Sequence, residues 1–159
     1  IDIANKLAAP KEWKDLTRPE YFGHVAISAP SRSGTTQLTV ETILQGEGWD
    51  KGWGQLLEMM GNAAAVTERS FGVPDGVNNG QYGIGIVIDF FGLASKFSGL
   101  PVDFVYPSMT AVVPANIALL AGGKNPDEAK KFMAYSMSSE GQQLLFDPKI
   151  SRLPILPYS

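Results

Sequence analysis

Residues 24–38 read HVAISAPSRSGTTQL, a short apolar run, a turn rich in small hydroxyl side chains and the opening of a helix set end to end. His24 to Ser28 have the length and apolarity of a strand. Beyond the turn, Val40, Ile43 and Leu44 share one helical face, so the stretch is a strand–loop–helix unit. Four side-chain hydroxyls, an arginine and a glycine crowd the mouth of that helix, where the first turn leaves backbone N–H groups unpaired and the macrodipole is positive. Such a mouth can hold an anion. On this reading Gly34 lets the backbone come close, while Ser31, Ser33, Thr35 and Thr36 add donors without bulk. The plainer alternative makes one of them an N-cap and leaves the rest as solvated turn residues.

Working outward, Trp49, Trp53, Leu56, Leu57 and Met60 recur at helical spacing, and Gly61-Asn62 ends the run. Because both tryptophans fall on the leucine stripe, they are expected in the core. AAAVT (63–67) reads as a strand, SFGVPDGVNNG (70–80) as a short helix begun at Ser70, and YGIGIVI (82–88) as a strand buried on both faces. VDFVY (102–106) and TAVVPANIALL (110–120) are further extended candidates, Pro114 making the second an edge or crossing strand. Asn125-Pro126-Asp127-Glu128 opens a helix whose expected buried face is Ala129, Phe132, Met133, Ser136 and Met137. Ser139 and Gln142 fit a capping box for a final helix carrying Leu144 and Leu145. Strands alternating with helices predict an α/β layer architecture around a mostly parallel sheet.

In such sheets ligands sit beyond the carboxyl ends of the strands. A second strand end, Thr67-Glu68-Arg69-Ser70, adds a hydroxyl and a cation, with Arg69 either a ligand contact or a surface ion-pair partner. At a third, Asp89 stands beside Phe90 and Phe91, able to accept from sugar or glycerate hydroxyls or to cap the next turn. Three polar strand ends point to one cleft.

Bulk composition bounds the partners. The 159 residues are 44% hydrophobic with a net charge of -3, which suits a single core-forming domain and gives no basic footprint for nucleic acid. With no cysteine, thiolate metal sites and cysteine nucleophiles are excluded. No Gly-Lys-Ser/Thr follows the loop, so a phosphate-loop nucleotide hydrolase is disfavoured. A serine hydrolase would need His24, the only histidine, as its base. A chain that opens on Ile1 and closes on the proline-punctuated RLPILPYS reads as a piece of a longer protein with no signal peptide of its own.

The ordered set Trp13, Asp15 and Leu16, then GHVAISAPSRSGTT, VTERSFGVPDGV, YGIGIVIDF, VVPANIALLAGGKNPDEAKKF and SSEGQQLLF resembles the periplasmic solute-binding proteins of ABC importers. The similar group is the type 2 subfamily of iron(III), sugar-phosphate and phosphoglycerate-type binders. The resemblance implies a three-layer α/β lobe over 1–159, the second lobe of a two-lobe protein whose first lobe is missing, with 106–115 as the hinge return. It places Ser31, Ser33, Gly34, Thr35 and Thr36 on the anion-binding turn and Ser70 on a second contact loop; the strand-end reading adds Arg69 and Asp89 as candidate ligand contacts, with Arg32 as a helper. The resemblance implies a non-enzymatic binder without cofactor, located in the periplasm or lipid-anchored outside the cell, delivering a small anion to an ABC permease or reporting it to a membrane sensor kinase. Iron-binding members carry paired tyrosines where this chain has Phe90 and Phe91, which have no oxygen to give a metal. The expected ligand is therefore an organic anion, a phosphorylated metabolite, and no metal.

Overall fold

The computed structural model describes residues 7–156. The chain forms two compact units, Ile1–Ala111 and Val112–Ser159.

In the first unit three parallel strands lie in the order β2-β1-β3: β1 Val25–Ser28, β2 Ala63–Thr67 and β3 Ile84–Gly85. β1 is central and buried along its whole length, which is why its residues are all apolar or small. Helices α1 Gly34–Glu47 and α2 Trp49–Gly61 join β1 to β2, and α3 Gly72–Asn78 joins β2 to β3. Helix α4 Asp89–Phe97 follows. Strand alternation divides the packing between two faces. Val25, Ile27, Ile84 and Ile86 join Ile43, Leu44, Leu56 and Met59 in one core cluster. On the other side a Cβ at Gly85 would lie 2.6 Å from Val73 and 2.8 Å from Val77, so glycine there lets α3 settle onto the sheet.

A short 3₁₀ turn, Trp13–Thr17, buries Leu16 beneath α2, and Asn62 fastens it. The Asn62 amide donates to the carbonyls of Leu16 (2.8 Å) and Arg18 (2.7 Å), while its own carbonyl accepts from Gly23 and Val25. Fully buried Tyr21 donates its hydroxyl to the Ala8 carbonyl at 2.6 Å.

Several sequence expectations need correcting. The helix over Trp49–Gly61 forms, but its buried residues are Gly52, Gln55, Leu56 and Met59, and Trp49 and Trp53 are 68% and 37% exposed. Gly52 decides this: its missing Cβ would sit 3.0 Å from the Leu44 backbone, so α2 approaches α1 along the glycine face. The tryptophans turn outward and pair edge-on at 5.7 Å. Helix α3 begins at Gly72 rather than Ser70. YGIGIVI contributes only two strand residues, and Ile88 is 36% exposed; among the described residues β3 pairs with β1 alone.

Neither VDFVY nor 110–120 joins the sheet. Residues 103–109 instead run as a strap over the first unit. Lys96 pairs with Asp103 at 2.6 Å, Ser108 donates backbone and side chain to Glu12, and the Trp13 indole N–H donates to the Met109 carbonyl at 2.7 Å.

The second unit contains α5 Pro126–Ser136, α6 Ser139–Gln143 and a 3₁₀ turn Leu144–Phe146. The face expected to be buried on α5 is not: Phe132 is 62% and Met137 47% exposed. The cap of α6 is Ser138, whose hydroxyl accepts from Gly141 N, and Ser139 is the first helical residue. Gln142 faces inward instead of closing a capping box, donating to the Ser136 carbonyl and accepting from Ile155 N–H.

Candidate functional site

All three strands are parallel, so the loops leaving Ser28, Thr67 and Gly85 emerge at the same edge of the sheet. Two of them are pinned together by hydroxyls. Ser33 is the N-cap of α1, its Oγ accepting from Thr36 N at 3.3 Å. The same Oγ lies 2.7 Å from Ser70 Oγ in the loop after β2. Behind it, Ser28 Oγ at the end of β1 lies 2.5 Å from Thr36 Oγ1, which is 3.3 Å from Ser33 Oγ. Ser28, Thr36 and Ser33 are all buried. Their hydroxyls hold the loop in shape, and the solvent-facing groups are others.

Those groups are Ser31, Gly34, the half-buried Thr35 and Ser70, and Arg69. The N–H groups of Gly34 and Thr35 have no acceptor among the described residues, as the geometry of a helix start requires. A Cβ on Gly34 would meet nothing within 4 Å, so the space above the helix mouth is open. Arg69 is exposed and has no ion pair among the described residues, whereas Arg32 is engaged with Glu68 at 2.6 Å, a clip between the same two loops.

Of the sequence candidates, Ser31, Ser33, Gly34, Thr35, Thr36, Arg69 and Ser70 are thus gathered on two adjoining loops. Asp89 is a separate case. It opens α4, with Oδ1 accepting from Phe90 N at 2.8 Å and Oδ2 accepting from the Tyr106 hydroxyl at 3.1 Å. Burial, with the Asp89 carboxylate beside it, pushes the Tyr106 hydroxyl up to about 12. Tyr106 and Ser28 carry structural roles that were not singled out from sequence. Ser28 could have been found as a polar residue closing a wholly apolar strand, whereas nothing local to Tyr106 announces Asp89.

His24 sits at the opposite edge. Its carbonyl accepts from Ile84 N at the start of β3, four residues before Ser28 and so about 13 Å along the strand from it. It cannot reach the Ser33 hydroxyl as a general base.

The sequence profile of the bacterial extracellular solute-binding proteins matches residues 1–155. The chain belongs to this family. As a solute-binding protein it is 38% identical over 157 residues to the phosphoglycerate transport regulatory protein PgtC of Salmonella typhimurium, covering 98% of this chain and 39% of that one. Among solved structures it is similar to the periplasmic binding protein AfuA from Actinobacillus pleuropneumoniae, with fructose-6-phosphate bound, at 25% identity and TM-score 0.72, covering 91% of this chain and 46% of that one. It is also similar to the periplasmic binding protein P5PA, at 25% identity and TM-score 0.69, covering 88% and 45%. The chain therefore spans about two-fifths of the curated relative it matches.

Proposed function

We propose that this chain is part of a periplasmic solute-binding protein that captures a small phosphorylated metabolite, and that the loops 29–33 and 67–71 with the mouth of α1 form one wall of its site. The observation that carries this reading is the pair of N–H groups on Gly34 and Thr35, unpartnered among the described residues, with open space at Gly34, on a loop that Ser33 and Ser70 tie to the one carrying Arg69. An oxyanion placed there meets the helix dipole, two backbone donors, hydroxyls and a guanidinium. The remaining contacts come from a second lobe, whose closure excludes water and strengthens these charge-assisted bonds. Residues 106–115 are the return through the hinge, a span that contains the boundary between the two compact units. Asp89, engaged by Tyr106 beside this hinge, orders the third loop and adds an acceptor for ligand hydroxyls.

The protein is a reversible binder, and His24, the only histidine, lies at the opposite edge of the sheet from the loop hydroxyls. Its bound solute passes to an ABC permease. Reporting to a membrane sensor kinase is the second reading, favoured by the likeness to a transport regulatory protein.

The test is a thermal-shift screen of the full-length protein against inorganic phosphate, 2- and 3-phosphoglycerate, phosphoenolpyruvate, hexose phosphates, dicarboxylates and ferric citrate. The expected result is a raised midpoint with phosphorylated compounds, weakened by Thr35→Ala and by Ser70→Ala. A shift with ferric citrate alone, or an unchanged response in both variants, would sink the assignment.

A further inference from the structure

We infer that Ser108 and Met109 are held on a seat built by Glu12, Trp13 and Gly46, so that the hinge flexes only past Met109. The pivot rests on the reading of 106–115 just given, and the seat does not. Three different contacts converge on these two residues. One Glu12 carboxylate oxygen accepts from Ser108 N at 3.0 Å and from Ser108 Oγ at 2.9 Å, both charge-assisted bonds. The Trp13 indole N–H donates to the Met109 carbonyl at 2.7 Å. The Met109 side chain itself fills the place that a side chain on α1 would take, for a Cβ at Gly46 would lie 1.8 Å from its Sδ, 3.1 Å from Cε and 3.3 Å from Cγ. Glycine at this position is the socket, and an unbranched thioether is suited to fill it.

The seat is anchored to the core. Asp15 accepts from the N–H groups of Lys11 (2.8 Å) and Glu12 (3.0 Å), which fixes the backbone that carries Glu12. Leu16 is buried, and Asn62 holds the Leu16 and Arg18 carbonyls. Gly46 lies in the last turn of α1, whose first turn opens on the solute loop, so one helix fixes the seat relative to the site. Past the seat the ties end. Among the described residues Thr110 to Leu120 are all exposed, and their hydrogen bonds are local: Thr110 Oγ1 to the Pro107 carbonyl, Asn116 to the Pro114 carbonyl and Gly123 N–H to the Leu120 carbonyl. Local stability follows buried contacts, so it steps down between Met109 and Thr110. Changes in backbone angle during a hinge motion collect on the untied side of such a step.

A disulfide tests the pivot. The Met109→Cys sulfur would stand near the present Cγ, 3.3 Å from a Cβ at Gly46, close enough to bond the Gly46→Cys sulfur, and the chain has no cysteine of its own. In the full-length protein carrying both changes, oxidised glutathione closes the seat covalently. Reduction leaves the seat empty and lengthens the free hinge from about six residues to about nine, which lowers the effective concentration of one lobe at the other about twofold. Calorimetry with inorganic phosphate, 3-phosphoglycerate and glucose 6-phosphate as probes is expected to show the oxidised form binding at least as tightly as the reduced one. Weaker binding after oxidation would put the pivot at or before Met109 and overturn the inference. The seat is read without any solute, from amide exchange by nuclear magnetic resonance on the full-length protein. Ser108 N–H is expected to exchange about tenfold faster in Gly46→Ala and in Glu12→Ala than in the wild type. Gly46→Ala displaces only the end of a flexible side chain and favours the helix, so the variant folds. Equal exchange in all three proteins would overturn the seat. If none of the probes binds the wild type, the solute reading falls and Ser108 exchange alone decides the seat.

Discussion

Helices α1 and α5 carry the same kind of sequence signal, a capped start and an apolar stripe, yet they end in opposite surroundings. In the first unit Ile43 of α1 is completely buried, as are Tyr21 and Val73. Among the described residues of the second unit the buried ones are Gly141, Gln142 and Ser151, none of them a large apolar side chain, while Phe132 is 62% and Leu120 79% exposed. The second unit is ordered by hydrogen bonds. Gln142 ties Ser136 to Ile155, Ser138 caps α6, and Arg152 N–H returns to the Leu145 carbonyl. Periodicity tells which face of a helix is apolar. It does not tell whether anything covers that face.

The strongest way to break this comparison is to truncate one buried and one exposed apolar residue. Ile43→Ala removes a side chain with no exposure and is expected to cost about 2–5 kcal/mol. Phe132→Ala is expected to stay within about 0.5 kcal/mol, as for a surface substitution. Urea unfolding followed by circular dichroism measures both. All three tryptophans, Trp13, Trp49 and Trp53, belong to the first unit, so their fluorescence isolates the Ile43 effect. Equal losses would mean that the α5 face is covered in solution and that the two regions do not differ.

The same contrast explains how much could be read from the sequence. β1, β2, α1, α2 and α5 were legible because each is decided within its own window: a run of small and apolar residues, a serine before a helix, a proline with acids in a first turn. That the seven loop candidates Ser31, Ser33, Gly34, Thr35, Thr36, Arg69 and Ser70 lie on neighbouring loops was legible because parallel strands bring consecutive loops to one edge. What failed depended on contacts between windows. The outward turn of Trp49 and Trp53 follows from Gly52 meeting Leu44, two positions on different helices. The division of labour in the loop was equally hidden, since only the fold reveals that Thr36 faces the buried Ser28 while Thr35 faces out.

That division gives the second prediction. Ser33→Ala removes the cap of α1 together with the partner of Ser70 and Thr36, and is expected to cost about 1 kcal/mol of stability. It should also weaken anion binding by the full-length protein, because Ser70 loses the contact that fixes it. Thr35→Ala should leave stability nearly unchanged while still weakening binding, since the Thr35 hydroxyl has no partner among the described residues. Denaturant midpoints and anion titrations on the two variants separate a residue that builds the loop from one that faces the solute. If both variants behave alike, the buried and exposed halves of the loop are not distinct.

The smallest expected effect concerns the strap that leaves the first unit toward the second. Tyr106 packs edge-on against Phe104 at 4.8 Å, and its hydroxyl donates to Asp89. Burial and the neighbouring carboxylate favour the neutral phenol, raising it from its ordinary 10.0 to about 12. The folded state therefore holds this proton where the unfolded chain has lost it. The stability it contributes is complete below pH 10 and is lost as pH rises from there through about 12. Because Tyr106 is 47% exposed, the loss is modest. Tyr106→Phe keeps the ring contact with Phe104 but has no proton to lose, so it should flatten that part of the alkaline unfolding curve. It should also remove one late-ionising phenol from an ultraviolet titration of the folded protein. Tyr21, which burial also shifts upward, remains as the internal reference. A curve that keeps its full slope in Tyr106→Phe would show that the strap is not held to α4 through Asp89, and that order in the first unit ends before the strap begins.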